Sequence, residues 1–157
     1  MKVLPAIYPT DFDTPPDNEI ILPNGIIGFG AYKRAELLYM PDHLPFLWMK
    51  LCNLDTADIL HFIVIEPGGI VSGYEPELFD ADAEQLGIVT ASEVMVLNVV
   101  TLKRRDPVEA TVNLIGPIVV NRRTRIGRQL VVANYSRYSE HHALIENPQV
   151  MPVARLA

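Results

Sequence analysis

The run that decides the fold is Val94-Met95-Val96-Leu97-Asn98-Val99-Val100. Every residue in this run except the asparagine is apolar, and most of them are β-branched. A strand with one face in water alternates apolar and polar residues, whereas a uniformly apolar run is typical of a strand buried on both faces. The run therefore predicts a central strand in a sheet that is covered on both sides.

Further short runs on either side are rich in Val, Ile and Leu, as strands are. They are Glu19–Leu22, Ala35–Met40, Phe46–Leu51, Leu60–Ile65, Ala110–Ile115, Ile118–Val120 and Gln129–Ala133. Between the runs lie most of the 13 prolines and 9 glycines, which leave little room for long helices. The sequence thus predicts a mainly β, single-domain fold, either an antiparallel β-barrel or a closed sandwich, with one or two short helices.

One segment follows a helical pattern instead and predicts a short helix over 76–86. Ser72 and Glu75 have the spacing of a capping box, and Pro76 suits a first helical turn. Apolar residues then recur at helical spacing at Phe79, Ala83 and Leu86. The opposite side of this helix would present to solvent the carboxylates of Glu77, Asp80 and Glu84.

Charge is distributed unevenly along the chain, whose net charge is −6. Residues 1–100 carry 4 Lys and Arg against 15 Asp and Glu, whereas residues 101–157 carry 9 against 4. An acidic surface repels phosphate backbones and attracts basic surfaces. The first hundred residues therefore favour a basic partner over a nucleic acid.

Two basic clusters in the second part of the chain point the other way. They are Lys103-Arg104-Arg105 and Arg122-Arg123-Thr124-Arg125. Because no aromatic residues are interleaved with them, we interpret both as solvated hairpin ends and expect no direct nucleic-acid binding. The alternative is a nucleic-acid-binding β-barrel that uses Arg104, Arg105, Arg122, Arg123 and Arg125.

Patterns typical of catalysis or metal binding are missing from the sequence. The four histidines have no metal-ligand spacing, and there is neither a phosphate-binding loop nor a nucleophile elbow. We therefore expect no enzymatic activity, no cofactor and no metal, with a small hydrolase as the less favoured alternative. The single cysteine, Cys52, suits a reducing cytoplasm. No apolar run is long enough to span a membrane or to form a secretory signal.

Several motifs occur together in a fixed order along the chain. They are Leu22–Phe29 (LPNGIIGF), Pro45–Met49 (PFLWM), Phe62–Pro67 (FIVIEP), Tyr74-Glu75, Gln85–Ile88 (QLGI), Thr111–Asn121 (TVNLIGPIVVN) and Thr124–Gln129 (TRIGRQ). The most specific part is N-L-x-G-P-I-x-x-N followed by G-x-Q. In this order the motifs resemble the flagellar assembly factor FliW family, over roughly residues 1–140.

The resemblance implies a cytoplasmic, non-catalytic factor with a mostly β-barrel fold that binds two proteins. One is flagellin, and the other is CsrA, a basic RNA-binding dimer that represses flagellin synthesis. Sequestration of CsrA relieves the repression, and free flagellin competes for the same factor. We accordingly expect a FliW-like β-barrel domain over 1–140 and a loose C-terminal tail over 141–157.

The candidate partner-binding residues fall into three groups. The predicted helix face and its neighbours are expected to attract the basic repressor, and they are Glu75, Glu77, Asp80, Asp82 and Glu84. Apolar residues around the loop from Gly25 to Phe29 are expected to receive flagellin. The family motif adds Asn113 and Asn121. The open alternatives are an ordinary solvated helix face and, for the glycines and asparagines, a structural role in the turns.

Overall fold

The computed structural model describes residues 1–4, 18–105 and 107–145. Its strands are β1 (Glu19–Ile21), β2 (Arg34–Leu38), β3 (Leu47–Cys52), β4 (Ile59–Ile65), β5 (Val94–Arg105), β6 (Val108–Val112), β7 (Ile118–Asn121), β8 (Gly127–Gln129) and β9 (His142–Ile145). Within these ranges one α-helix, α1, spans Asp80–Gln85, and short 3-10 turns occupy Pro41–His43, Ala91–Glu93 and Tyr135–Arg137. The mainly β architecture with few helices agrees with the sequence.

Strand β5 organises the sheet, because it changes partners along its length. The ladders are antiparallel and follow the order β1-β2-β3-β4-β5-β6-β9, with β7 and β8 branching from β5. The first part of β5, Val94–Leu97, pairs with β7. From Asn98 onward β5 pairs with β4 and β6 instead. A single long strand therefore belongs to both parts of the sheet.

The two faces of β5 are buried in two different hydrophobic cores. Val96 and Val100 pack in one core, together with residues from β6 and α1. Met95 and Leu97 pack in the other core, with residues from β1, β2 and β3. All four side chains are buried, so the predicted burial of this strand on both faces is confirmed.

The sheet stays open where the sequence predicts a closed barrel. In the described residues β1 and β8 share no ladder, and β1 bonds to the turn before β8 instead, through an isolated bridge between Ile21 and Ile126 and two hydrogen bonds with Arg125, one of them from Ile21 N to Arg125 O at 2.9 Å. Each of these strands is three residues long and forms its ladder on its other side, β1 with β2 and β8 with β7. The predicted strand Gln129–Ala133 is also displaced, since β8 ends at Gln129.

The prediction of a loose tail over 141–157 is wrong for the first residues of the tail, because β9 spans His142–Ile145 and pairs with β6. Leu144 is buried in the same core as Val96. A strand of four residues leaves too short a pattern to recognise in the sequence. Residues 146–157 of the predicted tail lie outside the described residues.

The helix is shorter than predicted. The expected cap at Ser72 is not used, since α1 begins after Phe79, whose side chain makes no capping hydrogen bond. A capping box forms further along instead, where Thr90 and Glu93 bracket a 3-10 turn. Phe79, which the helical spacing places on the buried side, is 49% exposed, and its neighbour Leu78 is buried in the core instead. No helix in the described part of the chain is both long and apolar enough to cross a bilayer.

Candidate functional site

Five carboxylates predicted to bind a partner lie close together in the chain, and we call them the acidic surface. They are Glu75, Glu77, Asp80, Asp82 and Glu84. The sequence predicts a single helical face, but the structure divides the set between an extended segment and α1. Glu75 and Glu77 precede the helix, whereas the other three lie on it. The prediction that Glu77, Asp80 and Glu84 share one helical face is therefore wrong for Glu77.

The extended segment is held by hydrogen bonds on both sides. On one side Val3 N donates to Pro76 O at 2.9 Å, and Lys2 forms a β-bridge with Glu77. On the other side Ala133 N donates to Glu77 O at 2.7 Å. These tertiary bonds take up the backbone groups that a helix would use for its own first turn, which explains why the segment is extended.

Within α1, Asp80 and Glu84 are four residues apart and so lie on the same side of the helix. Both are exposed, while Ala83 is buried and packs against the core. Asp82 is half-buried. The outward side of α1 therefore presents two carboxylates that face solvent.

Basic groups of the same chain already neutralise part of the acidic surface. Lys2 Nζ lies 2.8 Å from Glu75 Oε2, and Arg128 Nη1 lies 3.5 Å from Asp82 Oδ1. The hydrogen bond and the charge of Lys2 hold the pKa of Glu75 below its ordinary value. The Met1 amine is 3.8 Å from Asp80, and Glu84 has no ion pair with any described residue. The sequence did not single out Lys2 and Arg128, because their partners are distant in the chain.

A cleft of 360 Å³ lies between the loop over 24–30 and strand β8. Its lining consists of Asn24, Gly25, Ile26, Ile27, Gly28, Gly30, Arg128 and Gln129. The amide of Gln129 holds the loop, since Oε1 accepts from Ile27 N at 2.8 Å and Nε2 donates to Gly116 O at 3.0 Å. Arg128 both lines the cleft and contacts Asp82, so the cleft adjoins the acidic surface.

The two predicted residues in this loop have different roles. Gly25 is buried at φ 61°, and a Cβ there would lie 2.3 Å from Phe29 O, so only glycine fits. Phe29 is 37% exposed and packs edge-on against Phe62, with the ring centroids 5.4 Å apart. Ile27 is 69% exposed. Gly25 therefore shapes the loop, and the apolar side chains of Ile27 and Phe29 remain accessible to a partner.

The two predicted asparagines bond to the chain itself. Asn121 is fully buried, donates from Nδ2 to Leu86 O at 2.9 Å, and accepts from Arg123 N at 2.9 Å. Asn113 accepts at Oδ1 from Ile115 N and Gly116 N. Asn121 thus ties the end of β7 to the end of α1, and we leave both asparagines out of the proposed contact surface.

Comparison with known proteins identifies the family of this chain. Residues 8–144 match the sequence model described as FliW protein. The chain belongs to the FliW family. The flagellar assembly factor FliW of Natranaerobius thermophilus is 31% identical over 131 residues, which are 83% of this chain and 84% of the relative. That of Geobacter sulfurreducens is 34% identical over 127 residues, or 81% of this chain and 76% of the relative.

A solved structure supports the same assignment. The crystal structure of the flagellar assembly factor FliW superposes with a TM-score of 0.69 at 29% identity and covers 87% of this chain and 92% of the other. The FliW fold therefore extends over most of the chain. The buried Asn121 and the glutamine that holds the loop, Gln129, both lie inside the region that matches the family.

The two arginine clusters of this FliW-family chain are far apart. Asn121 pairs with Val94, so the turn that carries Arg122, Arg123 and Arg125 lies at the start of β5. Arg104 lies near the other end and is 2.6 Å from Glu109. At roughly 3.3 Å per residue, the ten steps of β5 from Val94 to Arg104 separate the clusters by up to roughly 33 Å. They do not form one basic patch, and the structure adds nothing in favour of nucleic-acid binding.

One carboxyl near the arginine turn has an unusual environment. Glu66 follows β4, and burial raises its pKa to about 7, against the attraction of Arg122 and Arg125. Its Oε1 lies 3.9 Å from Arg122 Nη2. Among the described residues no group of three or more His, Cys, Asp or Glu is placed to hold a metal ion. Glu66 is therefore a buried carboxyl beside an arginine and belongs to no metal-holding group of the described residues.

Proposed function

We propose that this FliW-family chain is a non-catalytic flagellar assembly factor that acts in the cytoplasm by binding flagellin and a CsrA-type repressor. The observation that carries this proposal is the family match over residues 8–144. Binding of the repressor would withdraw it from its RNA target and allow flagellin synthesis. This mechanism requires a surface that recognises a basic protein, and no cofactor or metal.

The exposed carboxylates of α1 are the proposed contact with the repressor. A protein that binds RNA phosphates has a basic surface, and Asp80 and Glu84 present complementary charge on one side of α1. Opposite charge raises the rate of association and discriminates against acidic partners. The rigid attachment of the preceding segment at Val3 and Ala133 keeps this surface in place before binding.

The loop over 24–30 is the proposed contact with flagellin. Ile27 and Phe29 supply exposed apolar surface beside the cleft, which suits an apolar segment of an unassembled subunit. Arg128 lies between this cleft and Asp82. A ligand in the cleft would contact Arg128, whose partner Asp82 belongs to the acidic surface, so the two proposed contacts are adjacent and bound flagellin would obstruct the repressor.

The repressor contact is tested by the double variant Asp80→Lys and Glu84→Lys. We expect slower association with purified CsrA and a weaker dependence on ionic strength, because the variant removes electrostatic attraction. The matched control is Asp55→Lys with Asp58→Lys, which makes the same change in net charge at exposed positions in the turn after β3. Stopped-flow association across a salt series measures both variants.

Two outcomes would contradict this assignment. Equal slowing of the two double variants would mean that only the net charge matters. If the α1 variant associates as fast as the wild type at every salt concentration, the repressor contact lies elsewhere. Binding of flagellin should persist in the α1 variant, since its proposed contact lies at Ile27 and Phe29.

A further inference from the structure

The acidic surface has a cation of its own chain bound to it. Lys2 Nζ lies 2.8 Å from Glu75 Oε2, and the lysine side chain is 54% exposed. The backbone determines this position, because Lys2 pairs with Glu77 in a β-bridge and the next residue, Val3, is 1% exposed in the core. Lys2 is therefore a held charge, and it faces both carboxylates of the extended segment.

This ion pair affects any basic partner that approaches the same carboxylates. A lysine or arginine of the partner would have to replace the Lys2 ammonium at Glu75, and it would meet a like charge as it approached. Exposed ion pairs are weak, so the replacement is possible and its cost is small. On α1 the exposed carboxylates of Asp80 and Glu84 have no ion pair with Lys2, so they remain available for the first encounter.

We infer that Lys2 is an internal competitor that limits how fast and how tightly the acidic surface binds a basic protein. The inference rests on the proposed binding of the repressor and adds a residue that regulates it. The partner it fits is a protein with a positively charged surface, since a neutral or acidic partner would gain nothing from release of Glu75. Lys2 does not contact the partner in this scheme, and it acts by occupying the carboxylate of Glu75.

The test compares Lys2→Gln, Lys2→Arg and Lys33→Gln for association with purified CsrA. Lys33 is an exposed lysine just before β2, so its variant makes the same change in net charge and leaves the ion pair of Lys2 with Glu75 in place. At low salt Lys2→Gln should associate about twofold to fivefold faster than Lys33→Gln, as expected for the loss of one exposed ion pair. The difference should shrink as salt screens the charges, and Lys2→Arg should behave like the wild type.

Each result decides the inference. Equal rates for Lys2→Gln and Lys33→Gln, with the wild type still binding, would overturn the role of Lys2 and leave the proposed function intact. Failure of the wild type to bind CsrA would overturn both. Urea denaturation should give the same stability for the wild type and Lys2→Gln, because the altered ammonium lies at the surface. A large loss of stability would mean that Lys2 is a structural residue instead.

Discussion

Replacement of Glu66 by glutamine should change how the stability of this protein depends on pH. Burial raises the pKa of this carboxyl from its ordinary value of 4.5 to about 7 in the folded chain. Between these two pH values the folded state binds a proton that the unfolded state has released. The stabilisation is complete below pH 4.5 and is lost as the pH rises through about 7.

The magnitude follows from the two pKa values. Each pKa unit corresponds to about 1.4 kcal/mol, so ionisation of Glu66 lowers the free energy of unfolding by roughly 3 kcal/mol in total. Between about pH 5.5 and about pH 8.5 the free energy of unfolding falls by about 2 kcal/mol. The rest of the loss has already occurred below about pH 5.5, where the unfolded state releases its proton. Glutamine resembles the protonated carboxyl and does not ionise, so Glu66→Gln should lack this loss.

Urea denaturation at both pH values measures the effect. The difference in the free energy of unfolding between Glu66→Gln and the wild type should shift by about 2 kcal/mol in favour of the variant as the pH rises. Glu84→Gln is the control, since it makes the same chemical change at an exposed carboxylate on α1. Parallel pH profiles for Glu66→Gln and the wild type would refute the reasoning.

Three further substitutions test the fold by urea denaturation. Tyr74→Phe removes the hydroxyl that donates to Leu114 O at 2.8 Å. The buried carbonyl then lacks its donor, so the free energy of unfolding should fall by about 1–3 kcal/mol. An unchanged stability would mean that another group replaces the hydroxyl. Gly25→Ala should destabilise more than Gly28→Ala, because both glycines have positive φ but only at Gly25 would the added Cβ meet backbone within 4 Å. Leu144→Ala should cost about 2 kcal/mol or more, as for a buried core leucine, and wild-type stability would argue against the pairing of β9 with β6.

The candidate site is less predictable from the sequence than the strands are. The sequence locates the carboxylates Glu75 to Glu84, because a group of acidic residues can be read directly. It does not reveal that Lys2 and Arg128 neutralise two of them, since each pair joins residues far apart in the chain. It also does not distinguish Asn121, which is fully buried, from an exposed contact residue, because both interpretations fit the same motif.

The local composition of the chain by itself determined the central strand, β5. A run as uniformly apolar as Val94–Val100 is stable only where both faces are dry, so the burial of β5 on two sides follows from the sequence alone. The strand-forming runs and the turns that separate them likewise depend on neighbouring residues. The ordered motifs that identify the FliW family are also a property of the sequence.

Tertiary contacts decided three features of the fold that no local sequence pattern fixes. The segment before α1 has helical spacing, but Val3 and Ala133 bond to its backbone and keep it extended. Strand β9 is four residues long, and only pairing with β6 makes it a strand. The opening between β1 and β8 depends on how two strands far apart in the chain meet. In each case the free energy comes from groups far away in the chain, and no local sequence pattern records them.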